Sequence, residues 1–211
     1  MSHNSKQLIS TISKLQENFI NKKPINVLFC DFQDYYIKKI YKYNDIITAA
    51  EEIAEASKIL GLNQIVTEHE KRIFGPTIKE IRNHFNEKTE LFEKTRFAML
   101  DDEYLKYQDE DAVYVLLGIE AHICVTQTAL NILKNNKPLI LIADGISSTN
   151  PGDRELALKN LQAMGAYVTS TQSFLYLLLK DGKHPLFKSL LHIFKSNSNR
   201  DKSILYPFPK L

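Results

Sequence analysis

Residues 112–133 read AVYVLLGIEAHICVTQTALNIL. The first seven are continuously apolar and end on Gly118. Beyond them Ile123, Ala129, Leu130 and Leu133 recur at helical spacing, and this face is expected to point inward. An unbroken apolar strand feeding a helix within a few residues reads as a strand covered on both faces, as in a parallel sheet with helical crossovers.

The same unit recurs along the chain. INVLFCD (25–31), NQIVT (63–67), TELFE (89–93), PLILIA (138–143) and AYVTS (166–170) give five further strand candidates. Helical patterns lie between most of them. Residues 44–60 place Ile46, Ile47, Ala50, Ile53, Ala54 and Ser57 on one face, with Asn44 as the expected N-cap and Gly61 as the residue just past the end. In STNPGDRELALKNLQAMG, Asn150 caps, Pro151 opens the helix, Asp153 complements the dipole and Gly165 closes it. Two more patterns, 171–180 and 184–195, follow. This alternation predicts an α/β fold, a three-layer doubly wound six-stranded parallel sheet flanked by helices.

A chain of 211 residues fits one domain with a substantial core. An N-terminal helical extension is expected over 1–24, the α/β domain over 25–196 and an aperiodic tail over 197–211, whose two prolines argue against a regular element. In the first twenty residues Leu8, Ile9, Ile12, Leu15, Phe19 and Ile20 form an apolar stripe rather than the continuous core of a signal peptide. The run FLYLLL is too short to span a bilayer. Hydrophobic residues at 44%, charged residues at 25% and a net charge of +2 describe an ordinary soluble protein and give no electrostatic case for nucleic acid or membrane. Two cysteines cannot build a disulfide framework. A cytoplasmic location is expected; a mitochondrial one fits less well, because the first twenty residues lack arginine.

In doubly wound sheets ligands sit beyond the carboxyl ends of the strands, near the point where strand order reverses. Asp31, Glu68, Lys94 and Cys124 all fall at that edge, following the first four strands. A thiol in the first turn of a helix feels the positive end of the backbone dipole, which favours the thiolate, and free N–H groups there can hold an oxyanion. Singly, Cys124 reads as a small core residue, Asp31 as a turn residue and Lys94 as a surface charge. Together at one edge they form a candidate Cys–Asp–Lys triad. Cys30, inside a strand, takes a structural role. His122 stands two residues from the thiol, points away from it on a helix and belongs to packing or the pocket edge. Glu68, His69 and Glu70 are neighbours in a loop and make a poor metal site without a further ligand. No metal and no cofactor are expected.

These residues resemble the isochorismatase-like cysteine hydrolases, in the isochorismatase-domain-containing branch that includes proteins labelled mitochondrial-associated ribonucleases. The resemblance runs over about 25–195. It is carried by LFCDFQ, VTEHEKRIFGPT, EKTRFAML, LLGIEAHICVTQTALNIL, ADGISSTNPGDRELAL, MGAYVTSTQSFLYLLL and HPLFKSL. It implies Asp31 as general acid/base, Lys94 as its charge partner and Cys124 as nucleophile. It also implies a cis Ile119–Glu120 bond that aims the Glu120 N–H, with that of Cys124, into an oxyanion hole. The TEHEKR loop departs from the metal-binding pattern of nicotinamidases, and true isochorismatases lack the cysteine nucleophile. Phe32, Glu68, Phe74 and Phe97 are expected to line the pocket, whose aromatic character suits a small, partly apolar substrate. The expected activity is hydrolysis of a small-molecule amide or related C–N bond through a thioester, in a homo-oligomer. A catalytically silent binding or scaffolding protein is the alternative, and the ribonuclease label finds no basic stripe with interleaved aromatics to support it.

Overall fold

All six expected strands form, because their apolar runs are long enough to bury but too short to be helices. The computed structural model describes residues 3–200 and 203–205. In chain order the elements are α1 (His3–Ile20), β1 (Ile25–Cys30), α2 (Tyr43–Leu60), β2 (Asn63–His69), α3 (Lys71–Phe74), α4 (Lys79–Arg82), β3 (Thr89–Lys94), α5 (Asp102–Tyr107) and β4 (Val113–Gly118). They continue with α6 (Thr126–Lys134), β5 (Leu139–Ile146), α7 (Pro151–Ala163), β6 (Tyr167–Thr169), α8 (Thr171–Leu179) and α9 (Leu191–Asn199).

The strands make one sheet in the order β3-β2-β1-β4-β5-β6, and every pairing is parallel. Strand order therefore reverses between β1 and β4. Both of these central strands are buried at every position, as their unbroken apolar sequence requires. At the edge, β3 behaves differently: Glu90, Leu91 and Glu93 are exposed, and the two acids discourage pairing with another chain.

Most of the expected helix chemistry is present. The Asn150 side chain accepts from the Gly152 N–H, with Pro151 in the first turn. Gly61 is left-handed at φ +67° beyond α2, where its N–H returns to the carbonyls of Ser57 and Lys58. Three expectations need correction. Asn44 is not the N-cap, because α2 begins one residue earlier, after a left-handed Lys42, where the Tyr41 N–H is held by the Ser148 carbonyl. Leu130 is 36% exposed, and the buried face of α6 is Thr128, Ala129 and Ile132, because Thr128 has hydrogen-bond partners inside. On α1, Ile9 and Ile20 point outward. Asn18 faces inward instead, donating to the carbonyls of Pro24 and Asp111 at 3.0 and 2.7 Å.

Residues 197–200 and 203–205 are more regular than their composition implies. Helix α9 runs to Asn199, and Arg200 pairs with the fully buried Asp144 at the end of β5 and with Glu52 on α2. Asn197 and Ser196 also donate to Glu52, at 2.7 and 3.1 Å. A short turn of helix follows at Ser203–Leu205, with Ile204 buried. The prolines at 207 and 209 lie outside the described residues.

Where β1 and β4 end side by side, Cys30 is paired with Gly118. A Cβ placed on Gly118 would stand 2.4 Å from the Cys30 Cβ and 2.7 Å from its carbonyl oxygen, so only glycine lets the strands approach. Gly118→Ala is expected to destabilise the protein by about 1–3 kcal/mol, the usual cost of overpacking a core. A lowered urea midpoint checks this; an unchanged midpoint shows that the strands can part without cost.

Candidate active site

Strand order reverses between β1 and β4, and Asp31, Lys94 and Cys124 meet beyond the carboxyl ends of the strands. Asp31 follows β1 directly and is 2% exposed. Its backbone is left-handed at φ +58°, and the Gln33 N–H closes a tight turn onto the Asp31 carbonyl at 2.8 Å. Such a conformation costs a non-glycine residue on the order of 1–3 kcal/mol and persists only where the surroundings fix it. The fixing groups are visible. Thr67 Oγ1 on β2 donates to Asp31 Oδ1 at 2.7 Å, and Lys94 Nζ donates to Oδ2 at 2.7 Å.

Lys94 ends β3 and reaches across β2 to this point. Besides Asp31, its ammonium donates to the carbonyls of Arg96 and Phe97 at 3.2 and 3.0 Å, and Cys124 Sγ lies 3.8 Å away. Burial disfavours the Lys94 charge. Its acidic neighbours, the hydrogen-bonded Asp31 carboxylate among them, outweigh that penalty and hold its pKa above the ordinary lysine value. The lysine is therefore a fixed positive charge, shared between carboxylate and sulfur.

Cys124 sits in a π-helical turn, Ala121–Val125, that leads into α6. Wide turns of this kind recur at functional positions because they re-aim side chains. Thr128 locks the turn from below: its hydroxyl donates to the Cys124 carbonyl at 2.7 Å and accepts from the Met99 N–H at 2.9 Å. Glu120, before the turn, is a second left-handed non-glycine residue, at φ +51°. Ile119 is buried, and its N–H goes to the Cys30 carbonyl at 3.2 Å. Two left-handed non-glycine residues, Asp31 and Glu120, thus follow the ends of β1 and β4.

Cys30 is fully enclosed beside the triad and donates to Asp31 Oδ2 at 3.6 Å. Burial, then Cys124 and Asp31, push its pKa well above the usual thiol value, so it stays a neutral thiol. His122 does not address Cys124. Its Nδ1 is 3.1 Å from Ser148 Oγ, and the ring approaches Glu120 and Asp153 at 3.6 and 4.0 Å.

The expected pocket residues divide. Phe74 and Phe97 stack on either side of His69 at centroid distances of 5.6 and 5.8 Å, and Tyr36 stacks on Phe74 at 5.4 Å. Phe97 is 54% exposed at the rim. Phe32 has no exposed surface and belongs to the core, because its carbonyl accepts from Ile78 N–H and its ring turns inward from the Asp31 bend. Glu68 is also committed elsewhere, since the backbone and hydroxyl of Thr77 both donate to its Oε1, and Lys71 Nζ lies 2.9 Å from Oε2. Burial opposes the Glu68 charge, but these partners prevail and lower its pKa. Phe32 and Glu68 are thus buried, whereas Phe97 is exposed.

Residues that sequence reading passed over complete the site. Thr67 and Thr128 hold the Asp31 carboxylate and the Cys124 carbonyl through single hydroxyls, and no spacing pattern marks them. Tyr36 is nearer the chemistry than its place in DYYIKK suggests. Burial, then Asp31, Cys124 and Glu120, raise its pKa, so its phenol stays protonated. Among the described residues no group of three or more His, Cys, Asp and Glu could hold a metal ion. A groove of about 320 Å³ lined by Phe19, Lys22, Lys23 and Lys88 opens beside Ile25 and Asn63, at the opposite, amino end of the sheet.

No helix among the described residues is long and apolar enough to cross a membrane. The chain is 34% identical over 172 residues to isochorismatase domain-containing protein 2 of Xenopus laevis, covering 80% of this chain and 82% of that protein. It is 32% identical over 171 residues to isochorismatase family protein 1A of Dictyostelium discoideum, covering 78% and 83%. Its fold superposes on the structure of MAR1 ribonuclease from Caenorhabditis elegans with a TM-score of 0.80 at 30% identity, over 89% of this chain and 97% of that one. Residues 26–173 match the isochorismatase domain, so this chain belongs to the isochorismatase-like hydrolase family.

Proposed function

We propose that the protein is a cysteine hydrolase that cleaves a small-molecule amide or related C–N bond. The observation that carries this reading is the buried Lys94 ammonium, 2.7 Å from the Asp31 carboxylate and 3.8 Å from the Cys124 sulfur. Asp31 accepts the Cys124 proton, and the thiolate attacks the substrate carbonyl carbon. The backbone N–H groups of Glu120 and Cys124 receive the developing oxyanion, with the Ile119–Glu120 peptide setting the direction of the first. Asp31 returns the proton to the departing ammonia or amine, leaving a thioester on Cys124. Water, deprotonated by Asp31, then releases the acid and restores the thiol.

The rim supports a small substrate with a flat apolar part. Tyr36, Phe74, His69 and Phe97 form a row of stacked rings there. The name of the nematode relative refers to a ribonuclease. An RNA phosphate would need a free cation at this site, whereas Lys94 already serves Asp31 and two carbonyls. A cytoplasmic homo-oligomer without cofactor completes the proposal.

A panel of small aliphatic and aromatic amides, followed by ammonia release, tests it. At least one amide should be turned over by the native protein and not by Asp31→Asn. Ammonia release that survives this substitution sinks the assignment of the base.

A further inference from the structure

The segment ISSTN after β5 carries no part of the chemistry described so far, yet it grips the turn that precedes the nucleophile. Thr149 is exposed, and it is attached to Glu120 through both oxygens of the carboxylate. Its hydroxyl donates to Oε1 at 2.6 Å and its N–H points to Oε2 at 3.3 Å. Ser147, two residues before it, holds the same turn by its backbone. The Ser147 carbonyl accepts from the Ala121 N–H at 3.0 Å, and the Ser147 N–H donates to the Gly118 carbonyl at 3.2 Å.

This clamp is itself anchored. Ser147 and Ser148 are fully buried; Ser147 Oγ donates to the Tyr41 carbonyl at 2.6 Å, and the Tyr41 N–H donates to the Ser148 carbonyl at 2.9 Å. Between the two backbone bonds Glu120 alone must hold a left-handed conformation without being glycine. Left-handed backbone needs an external restraint, and the carboxylate grip supplies one at the residue in question. An N–H fixed in direction is what an oxyanion site needs, since a donor that must reorient during reaction loses most of its effect.

We propose that Thr149 is a positioning residue, which aims the Glu120 N–H at the substrate oxygen by holding the Glu120 side chain. The proposal rests on the hydrolase reading above. Thr149 touches neither substrate nor sulfur, and its effect passes through Glu120.

The test compares two reactions of the same sulfur. Acyl transfer from p-nitrophenyl acetate passes through a tetrahedral oxyanion, with the acyl group moving to sulfur and p-nitrophenolate leaving. Alkylation by iodoacetamide displaces iodide at a saturated carbon and forms no oxyanion. Thr149→Val keeps shape and removes the hydroxyl; Thr149→Ser restores it. Thr149→Val is expected to slow acylation of Cys124 by roughly tenfold or more, with the alkylation rate unchanged and Thr149→Ser close to native. Acylation within twofold of native in Thr149→Val overturns the proposal and leaves the hydrolase reading standing. So does a parallel fall in alkylation, which would mean a disturbed sulfur rather than a misdirected donor. Native protein that is alkylated at Cys124 but never acylated overturns both.

Discussion

Cys124→Ala is expected to lower turnover by roughly four orders of magnitude or more, leaving only what binding and oxyanion donors can do unaided. The loss is large because no neighbour can stand in. The second thiol, Cys30, is fully enclosed, and burial keeps it protonated. The fold should survive, since the substitution removes one sulfur from a turn already held by Thr128 and by the Ser147 carbonyl. Labelling by thiol-directed acyl probes, located by peptide mass, should disappear together with turnover. Cys30→Ala serves as the contrast and is expected to retain turnover within about tenfold, because Cys30 touches Asp31 through a long 3.6 Å contact and Cys124 through a weak thiol hydrogen bond. Turnover that persists in Cys124→Ala and vanishes in Cys30→Ala would reverse the two roles.

The fold was legible because its information is local. Six apolar runs separated by helical patterns leave few alternatives to a parallel sheet, and Asn150, Pro151 and Gly61 mark helix ends by their own backbone preferences. The carboxyl-edge rule then brought Asp31, Lys94 and Cys124 to one side. Whether they touch depends on strand order, a long-range property: β3 stands two places from β1, and Lys94 spans that gap with its full side chain. Local preference failed where tertiary contacts outweighed it. Asn44 lost the cap position to a loop tied to Ser148, and Leu130 lost the buried face of α6 to Thr128, which holds the Cys124 carbonyl. Phe32 and Glu68, expected at the pocket, are buried for a related reason. Proximity in sequence to Asp31 and to the second strand says nothing about which way a side chain turns, and both turn toward partners in the interior.

Lys94→Met separates the two functions of the lysine, stability and catalysis. The Lys94 and Asp31 side chains are 3% and 2% exposed, so solvent does not screen their attraction. Removing the lysine alone strands a carboxylate among Thr67, Cys30 and apolar walls, and is expected to cost about 3–5 kcal/mol in urea unfolding. Lys94→Met combined with Asp31→Asn removes both charges, and should recover much of that loss while remaining inactive. The pH profile adds a sign. Because the folded pKa of Lys94 is raised, its stabilisation is complete below the unfolded value near 10.5 and disappears as pH climbs through the higher folded value. The stability gap between native protein and Lys94→Met should therefore be flat across the neutral range and close only in strong alkali. If the gap closes near neutrality instead, Lys94 is already losing its proton there. The ammonium could then neither anchor Asp31 nor attract a thiolate, and the triad would have to be abandoned in favour of a cysteine acting alone. A double variant that is stable but silent, beside a single variant that is both unstable and silent, is the outcome that ties the buried charge pair to the chemistry.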